Sequence, residues 1–170
     1  KGSRGSKKSC TTALKIIYFM MKYSRYKPNT LVIRKYYNTH RNSTRAQLCW
    51  AIDKLGVRDL WRIPKGENTL TFIPTGQQII FMGLDDPDKV KSIKLPFGYI
   101  GVTWFEELDQ FSGENEIRKV TQSTKRGGNL FWDFRTFNPP ISKNNWANEY
   151  VDDCETYRSE STLVTRNTYL

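Results

Sequence analysis

The chain opens on Lys1-Gly2-Ser3-Arg4-Gly5-Ser6-Lys7-Lys8-Ser9, glycines, hydroxyls and lysines in an order that suits a phosphate group. The phosphate-binding loop G-x-x-x-x-G-K-[ST] uses a lysine for the β- and γ-phosphates and a following hydroxyl for Mg²⁺. Aligned on it, Gly2 is the first glycine, Lys8 the lysine and Ser9 the hydroxyl, while Lys7 stands where the second glycine belongs. The logic holds if residues 5–10 curl their backbone N–H groups around the anion at a helix N-terminus. Gly2, Ser3, Arg4, Gly5, Ser6, Lys7, Lys8, Ser9 and Cys10 are then the expected nucleotide contacts. Taken alone, the nine residues read equally as a solvated basic linker.

Two further stretches add chemistry. Gly98 to Glu107 (GYIGVTWFEE) is an apolar strand running into two carboxylates. In motor ATPases one acid at such a place holds Mg²⁺ through water and the next polarises the attacking water. Neighbouring strand residues point to opposite faces, which predicts separate jobs for Glu106 and Glu107. Phe134 to Pro140 (FRTFNPP) is a strand whose polar end is locked by two prolines. Asn138 there could bond the γ-phosphate or the lytic water and report its loss; read alone, the stretch is a strand and a rigid turn.

These groups need a scaffold. Leu14, Ile17, Tyr18 and Met21 fall at helical spacing, with Ala13, Ile16 and Met20 as a second apolar face, which predicts a helix over 8–23 covered on most sides. Pro28 and Asn29 end it, and a strand follows within Thr30–Tyr37, centred on Leu31-Val32-Ile33. Ser43 is the expected N-cap of a second helix through Leu55, closed by Gly56. Thr69–Ile73 and Gln78–Met82 read as a hairpin about Pro74-Thr75-Gly76, followed by a hydrophilic loop at Asp85–Asp88. Strands are expected at Tyr99–Phe105, Asn129–Phe137 and Ser161–Tyr169, with helices at 113–121 and 145–154. Strands alternating with helices predict an α/β fold, a three-layer sheet flanked by helices.

Composition narrows the partners. The 170 residues carry 27 Lys+Arg and 17 Asp+Glu, a net charge of +10, yet the first 50 hold 12 basic residues and no acid. That asymmetry points to a polyanion at the N-terminal third, either a phosphate-rich small molecule or a nucleic acid. The aromatic-basic run Tyr23-Ser24-Arg25-Tyr26-Lys27 could stack bases. The longest apolar stretch, Ile16–Met21, has six residues against the ~20 of a membrane-spanning helix. Cys10, Cys49 and Cys154 form no CxxC pair, so a zinc finger or disulfide scaffold is excluded and a reduced compartment is the default. The single histidine, His40, reads as an ordinary surface residue, and Asp152, Asp153 and Glu155 as a solvated face.

Taken together, the chain resembles the ATPase domain of the large terminase subunit of tailed bacteriophages, the DNA-packaging motor. The matching stretches are KGSRGSKKS at 1–9, VIRKYYNTHRNSTRAQLCWAIDKLG at 32–56, GLDDPDKVKSIK at 83–94, GVTWFEELDQF at 101–111 and FRTFNPP at 134–140. The resemblance implies a P-loop NTPase using ATP and Mg²⁺, with Arg4 sensing the γ-phosphate, Glu106 holding Mg²⁺ with Ser9, and Glu107 catalytic beside Lys8. Thr136 and Asn138 would couple hydrolysis to domain movement. It implies double-stranded DNA, a portal protein and a small terminase subunit as partners, a homo-oligomeric ring, no membrane, and the cytoplasm of the infected or lysogenic bacterial host. An arginine donated by a neighbouring subunit is expected from Arg118 or Arg126, with Lys91 or Lys94 as substitutes. Residues 1–170 read as a partial ATPase domain, truncated before the strand that carries the P-loop and without the nuclease domain. That strand is expected between the strand of Leu31–Ile33, or its neighbour, and the one ending at Glu106. The alternatives are another P-loop ATPase such as a helicase, or a non-catalytic nucleic-acid-binding module.

Overall fold

The computed structural model describes residues 7–65, 69–84, 95–142, 144–157 and 162–165. Helix α1 (Lys8–Lys22) buries Ala13, Ile16, Ile17 and Met20, one stripe at the 3.6-residue period. The expected stripe through Tyr18 is corrected: that ring is 51% exposed, and Lys15 and Lys22 also face solvent. Strand β1 (Pro28–Arg34) is buried at all seven positions because it is paired on both edges and covered on both faces. Helix α2 (Thr44–Lys54), β2 (Trp61–Arg62), β3 (Thr69–Phe72), β4 (Gln77–Gly83) and β5 (Tyr99–Glu106) follow. Helix α3 (Glu114–Thr124), β6 (Trp132–Thr136) and α4 (Trp146–Tyr157) complete the described elements.

The sheet order is β2-β3-β4-β1-β5-β6. Strands β4, β1, β5 and β6 run parallel, and β2 and β3 turn back antiparallel at one edge. Alternation along the central strands feeds two cores. Val32 of β1 and Val102 and Trp104 of β5 pack with α1 and α2, while Leu31, Ile33 and Phe105 pack with α3 and α4. The expected three-layer α/β sheet is therefore present.

Several expectations need correcting. β1 and β5 pair directly, from Pro28 against Tyr99 to Ile33 against Phe105, which leaves no room for a strand between them. Among the described residues the outer edges of β2 and β6 have no partner strand, and β6 borders a groove of about 630 Å³ bounded by α1, β6 and α4. Strand β6 is shorter than 129–137 because its lead-in passes Gly127 and Gly128, where Tyr99 packs against the backbone. Residues 162–165 are not a strand; the rest of that expected element lies outside the described residues, as does the loop 85–88. The two-residue β2 was missed, being too short for a periodic signal. No helix among the described residues is long and apolar enough to cross a membrane.

His40 is the clearest correction, being 3% exposed rather than on the surface. Its Nε2 donates to the Met82 carbonyl oxygen at 2.8 Å, so its bare Nδ1 accepts from the Thr44 hydroxyl at 2.7 Å. Burial, opposed by the Met82 bond and aided by the Arg34 charge, lowers its pKa to about 4. An unfolded chain takes up this proton below about pH 6.5 and the folded one only near 4, so stability is lost as pH falls through that window. The loss amounts to about 3 kcal/mol. Denaturant unfolding of the parent and of His40→Gln at pH 7 and pH 4.5 should show the parent losing the larger share; equal losses would contradict a buried neutral imidazole.

Candidate functional site

In open parallel sheets, ligands bind beyond the C-terminal ends of the strands. Here that end carries Arg34 from β1, Glu106 from β5 and Thr136 from β6, and α1 starts there at Lys8. Lys8 Nζ donates to Asn138 Oδ1 at 2.6 Å, across 130 residues of sequence. Two stretches singled out for phosphate chemistry thus meet in space. Burial lowers the Lys8 pKa, opposed by the charges of Glu106, Asp109 and Glu107 in that order.

The residue ahead of Lys8 stands where the expected loop would have its second glycine. Lys7 takes the left-handed conformation that glycine adopts freely, φ 57° and ψ 12°. For a side-chain-bearing residue this costs about 1–2 kcal/mol. Among the described residues no side chain caps the N-terminus of α1, an end whose first-turn N–H groups suit an anion. Ser9 lines a cavity of about 270 Å³ with Glu106 and the start of α2, and Cys10 accepts from Gln47 Nε2 at 3.2 Å. Gly2, Ser3, Arg4, Gly5 and Ser6 lie outside the described residues, as do Lys91 and Lys94.

The two acids do not diverge. Glu106 ends β5, but Glu107 lies beyond the strand with φ 56°, and both reach the same guanidinium. Strand alternation fails here because it applies only while the backbone stays extended. Arg34 Nε lies 2.8 Å from Glu106 Oε2, and Arg34 Nη2 pairs with Glu107 Oε2. Its Nη1 donates to the Thr39 carbonyl oxygen and to Ser43 Oγ, each at 3.0 Å. Ser43 stands at the N-cap of α2 as expected, yet its hydroxyl donates to the Thr39 carbonyl rather than capping the helix.

Despite that close cation, burial raises the Glu106 pKa to about 7, helped by Glu107 and opposed by Arg34 and Lys8. Desolvation of the buried carboxylate outweighs the attraction of that cation. Arg34 Nε and Glu106 Oε2 are ion-paired at 2.8 Å, and among the described residues neither atom has a further partner. Glu106 and Ser9 line one cavity, and a carboxylate with a hydroxyl is a donor set that fits Mg²⁺, which takes one or two protein oxygens and leaves the rest to phosphates and water. Among the described residues no group of three or more His, Cys, Asp or Glu gathers to hold a metal by itself.

Other assigned residues fall at varied places. Thr136 Oγ1 accepts from the buried Trp104 indole at 2.8 Å, so its side chain braces β6 against β5. Arg118 is exposed on α3, and Arg126 Nε donates to the Gln122 carbonyl at 3.2 Å. Asp152, Asp153 and Glu155 lie exposed along α4. Arg34 and Asp109 were missed. Asp109 has its pKa raised by burial and by Glu107, close to Lys8. The one available signal for Arg34 was a cation closing an apolar strand (TLVIR).

Glu106 generates a prediction opposite in sign to that of His40. Its folded pKa lies above the unfolded 4.5, so its contribution is fully present below 4.5 and is lost as pH rises through about 7. Glu106→Gln, which keeps the uncharged shape, should therefore be more stable than the parent at pH 8 by about 2–3 kcal/mol and no more stable at pH 4. Paired denaturant curves check this; a Gln variant weaker at pH 8 would contradict it.

A model of the family described as phage terminase large subunit matches residues 1–170. The large terminase subunit of Bacillus phage SPP1 is 40% identical over 175 residues, taking in 100% of this chain and 40% of the SPP1 protein. Among solved structures, the large terminase of a thermophilic bacteriophage superposes with a TM-score of 0.71 at 17% identity, covering 97% of this chain and 38% of that one. The same phage's large terminase in complex with ATP-gamma-S gives a TM-score of 0.68 at 17% identity, over 98% of this chain and 38% of that one. The structural likeness speaks for the fold, and the family match over the whole length speaks for kinship: the chain belongs to the phage terminase large subunit family.

Proposed function

We propose that this chain is the ATP-hydrolysing motor domain of a terminase large subunit, driving double-stranded DNA into a procapsid. The observation that carries the reading is the meeting of Lys8, Asn138 and the Glu106–Glu107 pair at one end of the sheet. Its partners would be DNA, the portal protein, the small subunit and further copies in a ring, in the cytoplasm of the bacterial host. The chain spans 40% of the SPP1 relative, so these partners belong to the proposal about the whole protein.

The roles proposed are those the family resemblance implies, supported by where Lys8, Ser9, Glu106, Glu107 and Asn138 lie. The ammonium of Lys8 and the first-turn N–H groups of α1 would bind the β- and γ-phosphates, with Arg4 as a further cation. Ser9 and ionised Glu106 would hold Mg²⁺, which neutralises phosphate charge when bound. Glu107 would take the lytic water once released from Arg34, and Asn138, freed as Lys8 turns to phosphate, would report occupancy. Since Glu106 is half-protonated near pH 7, metal affinity should rise with pH through that value.

The experiment is nucleotide binding and turnover in the large subunit carrying this domain. Glu107→Gln should bind ATP as the parent does while turnover falls ~10²–10⁴-fold. Lys8→Ala should lose both, and Glu106→Gln should lose the part of the affinity that needs Mg²⁺. Equal effects of the two glutamine variants on affinity would refute the division of labour. Mg²⁺-independent DNA binding with no nucleotide binding at all would favour the non-catalytic reading.

A further inference from the structure

The aromatic-basic run at residues 22–27 lies far from the nucleotide site. Helix α1 carries the chain from Lys8 to Lys22, about 21 Å at 1.5 Å per residue. It ends beside the N-terminal ends of the parallel strands, the opposite end of the sheet from Glu106. There the chain reverses through a short 3₁₀ turn at Ser24–Tyr26 and enters β1 at Pro28.

The elbow is a fixed platform. Lys27 holds a left-handed conformation, φ 53°, which glycine would take without strain. Its carbonyl oxygen would lie 2.5 Å from a Cβ placed on Gly98, so the backbone is seated tightly under the start of β5. A strained residue held by its surroundings points toward use rather than accident.

Its side chains are cations held on rings. Lys22 Nζ lies 5.4 Å from the Tyr18 and Tyr23 ring centroids, the Arg25 guanidinium 4.4 Å over Tyr26, and Lys27 Nζ 5.4 Å from Phe97. Aromatic faces order the charges without neutralising them. Among the described residues none of the three is paired with a carboxylate. A helix-terminal lysine is common for dipole reasons, which accounts for Lys22 but not for Arg25 or Lys27. Tyr18 and Tyr26, 51% and 43% exposed, add hydroxyl donors at the same surface.

We propose that this cation-on-tyrosine elbow is a contact surface for the phosphate backbone of duplex DNA, separate from the nucleotide site. Preordered cations and hydroxyls suit phosphate oxygens, which are the same at every sequence. A packaging motor must grip DNA without reading it, so the assignment rests on the motor reading and adds the surface to it.

The test is fluorescence anisotropy of a labelled 30-base-pair duplex against the large subunit carrying this domain, from 50 to 200 mM NaCl. The parent is compared with the triple variant Lys22→Gln, Arg25→Gln, Lys27→Asn, asparagine being tolerant of the left-handed conformation. A control triple changes the exposed cations Lys54, Arg62 and Lys65 near the β2 edge to Gln. The elbow triple should weaken binding at least tenfold at 100 mM and lower the log–log salt slope by about 2–3, at roughly 0.9 per lost phosphate contact. Its melting temperature and its affinity for a fluorescent ATP analogue should stay at the parent's values. An unchanged slope, an equal loss in the control triple, or a parent that binds no duplex would overturn the surface. So would a preference for single strands that depends on Tyr18 and Tyr26, since stacked bases would then be the ligand. A parent that ignores the ATP analogue while the elbow triple loses duplex binding would refute the motor reading and leave the surface standing.

Discussion

Everything at the C-terminal end of the parallel strands depends on one guanidinium shared by two carboxylates. Arg34, Glu106 and Glu107 come from adjacent parallel strands and would repel or strand one another if any were misplaced. A buried acid without its counter-ion costs several kcal/mol, so the cluster imposes its own geometry. Two further acceptors, the Thr39 carbonyl and Ser43 Oγ, tie the third face of Arg34 to the segment leading into α2. The same positive charge helps keep His40 neutral one step further out. Strand ends, loop and helix start are thus bound into one electrostatic unit.

That unit is arranged for change rather than for maximal stability. Glu106 has a raised pKa despite its ion pair with Arg34, and Glu107 occupies a left-handed backbone conformation. Lys8 is held by Asn138 in a contact that a phosphate would replace. The raised Glu106 pKa and the left-handed Glu107 each cost free energy in the isolated fold. Such concentration of strain and perturbed ionisation is what functional sites show.

What the sequence disclosed and what it hid divide along physical lines. The helix at Lys8, the β3–β4 hairpin and the apolar strand ending in two acids were legible because periodicity and turn residues are local. Of the phosphate loop expected at residues 2–9, the structure describes Lys7, Lys8 and Ser9. Arg34 and His40 were not, since their roles arise from partners 73 and 42 residues away. The neighbour of β5 was misplaced for the same reason: parallel pairing leaves no mark on the sequence between the strands. The divergence expected of Glu106 and Glu107 failed because a single left-handed residue ended the alternation.

The account stands or falls on the claim that Arg34 is there to hold the two acids. Unfolding free energies of Arg34→Met should be measured in the parent and in a Glu106→Gln/Glu107→Gln background at pH 8. Removing the cation from the parent leaves buried charges unpaired and should cost about 3–5 kcal/mol. In the amide background the same substitution should cost less than half as much, because no charge is left to compensate. Equal losses in the two backgrounds would show that Arg34 acts through packing alone and would contradict the account.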